Sequence, residues 1–180
     1  MPKSDVSQES IQHLIDDIRY LQDEAEALKY VIDTVPYDRE TPDGKSIVER
    51  LLYLDHAQQS YYRVIIEEAY SSPRPINLNA YKLPEDSFKI DREKAKDVQK
   101  VLYKISKHRA ALMNIVEKIS QSEWKRGISK GSETISLFDF SNDMVKAERR
   151  TLREIADLIM AYQKDVDQQR EISRGRPMGG

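Results

Sequence analysis

The chain has 180 residues and a mass of 21.0 kDa, enough for one domain with a real core. Charged residues make up 33% and the net charge is -2, with a mean hydropathy of -0.70 and an isoelectric point near 6.0. That polarity suits slender amphipathic helices and gives no global electrostatic case for nucleic acid, while the lack of any cysteine excludes disulfides, thiolate chemistry and cysteine metal sites.

The opening Met-Pro-Lys-Ser-Asp has no apolar signal core, and no run approaches the ~18 apolar residues of a membrane span. A cytoplasmic protein without membrane contact is expected. The first helix is predicted over 8–33, because Ile11, Leu14, Ile18, Leu21, Ala25, Leu28 and Ile32 keep an unbroken spacing of three and four. His13 lies off that stripe, on the surface. A loop with Pro36, Pro42 and a Pro-Asp-Gly turn follows. Ser46-Ile-Val-Glu49 then reads as a capping box opening helix two, predicted over 46–70 with Ile47, Leu51, Leu54, Tyr61 and Ile65 facing inward.

Residues 71–90 form a long connection whose prolines forbid a regular helix. Such a length can run back along a bundle: a helix of about 24 residues spans roughly 36 Å, and about 20 extended residues reach beyond 60 Å. Helices two and three can therefore be parallel. Helix three is predicted over 92–120 behind an Asp91 cap, with the stripe Val98, Leu102, Ile105, Arg109, Leu112, Val116 and Ile119. Residues 121–136 read as a loop around Trp124. Ser136-Leu-Phe-Asp139 reads as another capping box, opening helix four over 137–168. There Val145, Glu148, Leu152, Ile155, Ile159, Tyr162 and Val166 share one face, with Lys146, Arg149, Arg150, Arg153 and Lys164 on the solvated side. The tail 170–180 is expected to fray. The fold class predicted is all-α, a single four-helix bundle domain spanning 1–180.

Four long helices, a proline-rich crossover between the second and third, and Ser46-Ile-Val-Glu49 at the start of helix two resemble the DinB/YfiT-like superfamily over most of the chain. The resemblance implies an up-down-down-up bundle. It also implies, in many members, a divalent metal held by three histidines, one on helix two and two on helix four as His-x-x-x-His. Some members are thiol-dependent S-transferases or isomerases, and most have no assigned reaction. At the corresponding positions this chain has Tyr53, Ala147 and Thr151. The expectation is a degenerate site without the family's metal, and no cofactor.

The remaining histidines are weak substitutes. His56 falls about 180° from the apolar stripe of helix two, which places it on the polar face. His108 lies at the edge of helix three's stripe and reads as a partly buried packing residue. Together with Glu148 they form the one chemically reasonable fallback metal set. The sequence has no phosphate-binding glycine loop and no Gly-x-Ser-x-Gly. Arg109 and Glu148 interrupt two otherwise apolar stripes, and counting back from the ends of antiparallel helices three and four puts them at one level. Tyr53, Arg109, Glu148 and Thr151 are the candidate lining of a ligand-binding cleft. The leading reading is a metal-free bundle that binds a small ligand or a partner protein. A metal-dependent transferase or hydrolase using non-family ligands is the alternative, and a homodimer built on an exposed helix face is a third.

Overall fold

The structure of the protein, a computed structural model, describes residues 6–175. Helix α1 (Gln8–Leu28) is opened by a reciprocal capping box between Ser7 and Ser10. Helices α2 (Ile47–Ala57) and α3 (Arg63–Ser71) are joined without a break by a π-helical turn, Gln58–Tyr62. There the Arg63 amide donates to the Gln58 carbonyl, five residues back rather than four. The crossover contains a 3-10 turn, Leu78–Ala80, and the short helix α4 (Pro84–Ser87). After α5 (Arg92–Ala95) come α6 (Val98–Val116), α7 (Gln121–Trp124), the strands β1 (Gly127–Lys130) and β2 (Glu133–Ser136), and α8 (Leu137–Gly175).

Side-chain pairs fix the directions. Gln99, at the start of α6, donates to the Lys29 carbonyl at 2.8 Å, just past the end of α1, while Arg19 near the middle of α1 meets Glu117 at 3.0 Å beyond the end of α6. Those two helices are antiparallel. His108 on α6 meets Asp55 on α2 at 2.8 Å, and Val98 and Val101 share one apolar cluster with Val48 and Leu51 while Met113 and Val116 share the other with Ile66 and Ala69. The second and third long helices are therefore parallel. Arg50 meets Glu154 at 2.7 Å and Tyr61 meets Phe140 with ring centroids 5.9 Å apart, so α8 runs against α2 and α3. The bundle is up-down-down-up, as the crossover length predicts.

The predicted stripes are the core. Every residue named for the first three helices is buried, and on α8 the stripe is buried through Ile159 before it emerges at Tyr162 and Val166. Between Ile18 and Leu21, Leu54 and Tyr61, Ile105 and Leu112, and Val145 and Leu152, the core divides into two apolar clusters. Among the described residues no helix is long and apolar enough to cross a membrane.

The element ends differ from expectation in four places. The first helix stops at Leu28, and a 3-10 turn over Ile32–Thr34 carries Ile32 into the core. The third breaks near its start, because Asp91 caps α5 while Asp97 caps α6 separately by accepting the Lys100 amide at 3.1 Å; it also ends at Val116. The expected loop 121–136 is a helical turn and a β-hairpin, with Ile128 opposite Ile135 and Gly131 at φ 62 in the turn. Glycine is favoured there because a Cβ strains that conformation. Helix α8 continues to Gly175, so 170–175 are helical and the rest of the expected tail lies outside the described residues.

The hairpin anchors the crossover. Ser129 donates to the Ile76 carbonyl at 2.9 Å, and the Arg126 guanidinium donates to the carbonyls of Ala69, Ser72 and Arg74 at the frayed end of α3. It thereby satisfies acceptors that a helix terminus leaves open. Arg126→Met is expected to destabilise the fold by about 1.5–3 kcal/mol, the loss of charge-assisted hydrogen bonds to backbone. Denaturant unfolding followed by the emission of Trp124, the sole tryptophan and fully buried, measures it.

Candidate functional site

At the waist between the two apolar clusters lies a buried polar layer. Arg109 is fully buried and donates from Nη2 to Glu148 Oε2, from Nη1 to the Ile18 carbonyl at 3.2 Å, and from Nε to Gln58 Oε1 at 3.4 Å. Gln58, 1% exposed, passes the connection on by donating to Asp55 at 2.9 Å, and Asp55 accepts from His108 Nδ1 at 2.8 Å. A polar chain thus crosses the bundle from α8 through α6 to α2. Burial pushes the Glu148 carboxyl above the usual range, opposed by the Arg109 guanidinium. The π-helical turn begins at Gln58, so the wide turn sits where helix two joins this chain, and such turns are frequent at functional sites.

On one flank, between α2 and α8, opens a cleft of about 560 Å³. Tyr53, Tyr62, Ala147, Glu148 and Thr151 are among its lining residues, and Glu85, Phe88 and Ile90 of the crossover close one side. Its walls are mixed in charge: Glu49, Glu85, Glu148 and Glu154 face Lys45, Arg50 and Arg150. Arg50 is held by Asp43 at 2.6 Å and Glu154 at 2.7 Å. The Tyr53 hydroxyl donates to Glu85 at 3.4 Å. Burial, then the Glu85 charge, holds the Tyr53 phenol above its ordinary value, and burial raises Tyr62 further, with Glu148 adding to it. Both tyrosines are neutral hydrogen-bonding groups here.

Tyr53, Glu148 and Thr151 therefore share one cleft, and Arg109 stands behind Glu148. The sequence pattern places His56 on the polar face, and the structure corrects this. The crossover folds over that face, so His56 is half-buried, with Nε2 2.8 Å from Ser87 Oγ and its ring 5.4 Å from Phe88. His108 is half-buried as expected. Both histidines line a separate groove between α2 and α6, whereas Glu148 lines the cleft. The fallback metal set is thus split across α2, and among the described residues no three His, Cys, Asp or Glu side chains converge on a point. His13 is exposed. Gln58, Asp55, Arg50 and Glu85 were not singled out by sequence. Gln58 left one signal, a polar residue in phase with the stripe of helix two.

This arrangement of helices is shared with a solved structure. YfiT from Bacillus subtilis, described as a probable metal-dependent hydrolase with an unusual four-helix bundle topology, superposes with a TM-score of 0.70 at 13% identity, covering 88% of this chain and 90% of that one. At that identity the likeness is one of fold. No protein-family profile matches the sequence, and no curated protein matches it.

The positions that the sequence resemblance assigns to the metal-binding histidines, Tyr53, Ala147 and Thr151, all line the cleft. They do not fit a three-imidazole metal site. Tyr53 is a phenol held protonated by burial, Ala147 has no donor atom, and the Thr151 hydroxyl donates to the Ala147 carbonyl at 3.4 Å.

Removing one member of the central pair leaves the other charge buried. Arg109→Met is expected to destabilise by about 3–5 kcal/mol, and adding Glu148→Leu should recover much of that. Recovery will be incomplete, because Arg109 also satisfies Gln58 and the Ile18 carbonyl. Chemical denaturation of the two single variants and the double variant measures the coupling.

Proposed function

We propose that this chain is a DinB-like bundle that works without the family's metal and binds a small ligand in the cleft between α2 and α8. One observation carries the reading: Tyr53 lines the same cleft as Ala147, Glu148 and Thr151, which lie some 95 residues further along the chain. A site shaped around a metal keeps its concavity when the ligating side chains differ. The volume of about 560 Å³ lies within the range of small-molecule sites.

The walls define the ligand class. Glu148 engages Arg109 through Oε2, and among the described residues no hydrogen bond reaches Oε1. A carboxylate oxygen accessible at the cleft wall favours an amine or amide donor. Tyr53, Tyr62 and Phe88 offer ring faces and edges to a flat apolar body. Lys45 and Arg150 are exposed and lie outside the ion pairs of the described residues, which suits a polar or anionic tail at the mouth. The reading is of a binding protein for a small amphiphile with a donor head group.

Restoring the histidines tests the correspondence directly. The parent protein is expected to hold no stoichiometric zinc or nickel after loading and desalting, as measured by elemental analysis. The triple variant Tyr53→His, Ala147→His, Thr151→His is expected to bind one equivalent. Stoichiometric metal in the parent would overturn the metal-free reading. A folded triple variant that binds none would show that these three positions do not converge as a ligand set. For ligand binding, benzylamine is expected to shift the amide resonances of Tyr53 and Thr151 saturably, and Ala147→Trp, which fills the cleft, should abolish the shift.

A further inference from the structure

On the other flank of α2, the groove between α2 and α6 has a chemistry of its own. One compartment, about 290 Å³, is lined by His56, Gln59, Lys89, Lys94, Lys104 and His108. A second, about 300 Å³, adjoins it and shares Leu52, Asp55, Lys94 and Lys104. The groove has only Phe88 in common with the cleft, so nothing said here depends on what the cleft binds.

The groove contains charges of both signs, and its carboxylates already accept hydrogen bonds from neighbouring groups. Asp55 accepts from His108 and from Gln58. Asp91 accepts the Glu93 and Lys94 amides at 3.0 and 3.2 Å. Glu93 pairs with Lys96 at 3.0 Å, and Asp97 accepts the Lys100 amide at 3.1 Å. The lysines of the groove are different. Among the described residues the ion-paired lysines are Lys29 and Lys96, so Lys89, Lys94, Lys100 and Lys104 have no carboxylate partner. Gln59 adds an independent sign: its side-chain Nε2 is buried and has no hydrogen-bond partner, and a buried donor left unmade is costly. His108 gives Nδ1 to Asp55, and among the described residues no hydrogen bond reaches its Nε2.

These residues are donors and cations lining the two adjoining compartments, with Lys94 and Lys104 common to both, and they call for an anion with several acceptor oxygens. A phosphate group supplies three terminal oxygens and close to two negative charges, whereas a carboxylate supplies two oxygens and one charge. The adjoining compartment is more apolar, with Leu52 and Val101 in its wall. We propose that this groove is a binding site for a small organic phosphate monoester. The phosphate lies against Lys94, Lys104, Gln59 and His108, and the organic body lies over Leu52 and Val101.

Isothermal titration with phenyl phosphate tests the site, with inorganic phosphate and phenol as parallel arms at one ionic strength. Phenyl phosphate is expected to bind saturably and more tightly than either half alone. Lys94→Met combined with Lys104→Met should weaken it by roughly tenfold or more, the effect of two partly exposed charge contacts. Lys94→Glu, on the exposed α5 turn, cannot disturb the core and should weaken binding in the same direction. The melting curve read by Trp124 emission confirms that each variant is folded. No saturation below about 10 mM, weaker than a millimolar contact, would overturn the assignment. So would unchanged affinity in folded Lys94→Glu, or phenol binding as tightly as phenyl phosphate. Inorganic phosphate equal to phenyl phosphate would overturn the organic body.

Discussion

Arg109 and Glu148 form an ion pair in the middle of a helical bundle, and the rest of the structure is arranged to make that tolerable. Burying either charge alone costs several kcal/mol. The structure answers with a layer rather than a pair: Arg109 also satisfies Gln58 and the Ile18 carbonyl, and Gln58 reaches Asp55. The apolar core then closes as two separate clusters above and below that layer. A stripe of leucines and isoleucines can slide by one helical turn at little cost. A guanidinium that must meet a carboxylate, an amide and a carbonyl cannot. The polar layer therefore ties together the register of all four long helices, and it places Glu148 on the wall of the cleft as a consequence.

The same constraint explains what was legible in the sequence. Apolar spacing marks the buried face of each long helix, because one-sided burial imposes that period directly. The charged breaks at Arg109 and Glu148 were legible as a pair, because only an opposing charge at the same level makes either one bearable. The crossover length reported the parallel pair of helices, because chain reach is a matter of counting. His56 was misplaced for a reason that no helix pattern contains. Its polar face is covered by Ser87 and Phe88, some 30 residues away, and burial by a distant segment leaves no local period. The hairpin had one weak signal, a Gly131-Ser132 turn flanked by Ile128 and Ile135, but Trp124 and two glycines read more readily as a loop. Of the candidate site, the lining residues were legible singly. Ala147 and Thr151 share a face by helical spacing, but that Tyr53 lines the same cleft depends on helix packing.

The fold shared with YfiT at 13% identity separates two kinds of residue. The stripes and the long crossover maintain the architecture and accept almost any apolar substitution of the right size. The side chains that face the cleft are free of that duty, so they can change chemistry without changing the fold. A phenol, a methyl and an alcohol at one place make a neutral, hydrogen-bonding wall. The same backbone positions in a relative could carry a different reactive group.

The π-helical turn has a consequence for the lineage of this chain. A five-residue turn holds one residue more than the α-helix around it. Downstream of Tyr62, α3 therefore presents Ile65, Ile66 and Ala69 to its own apolar cluster at an azimuth offset from that of α2 by the wide turn. The two halves of this rod behave as two separately indexed gears on one shaft. An insertion or deletion of a single residue between Gln58 and Tyr62 can be absorbed by tightening or widening that turn, without unwinding either half. Helix two is thus the place in the bundle where length can drift by one residue while both apolar clusters keep their teeth engaged.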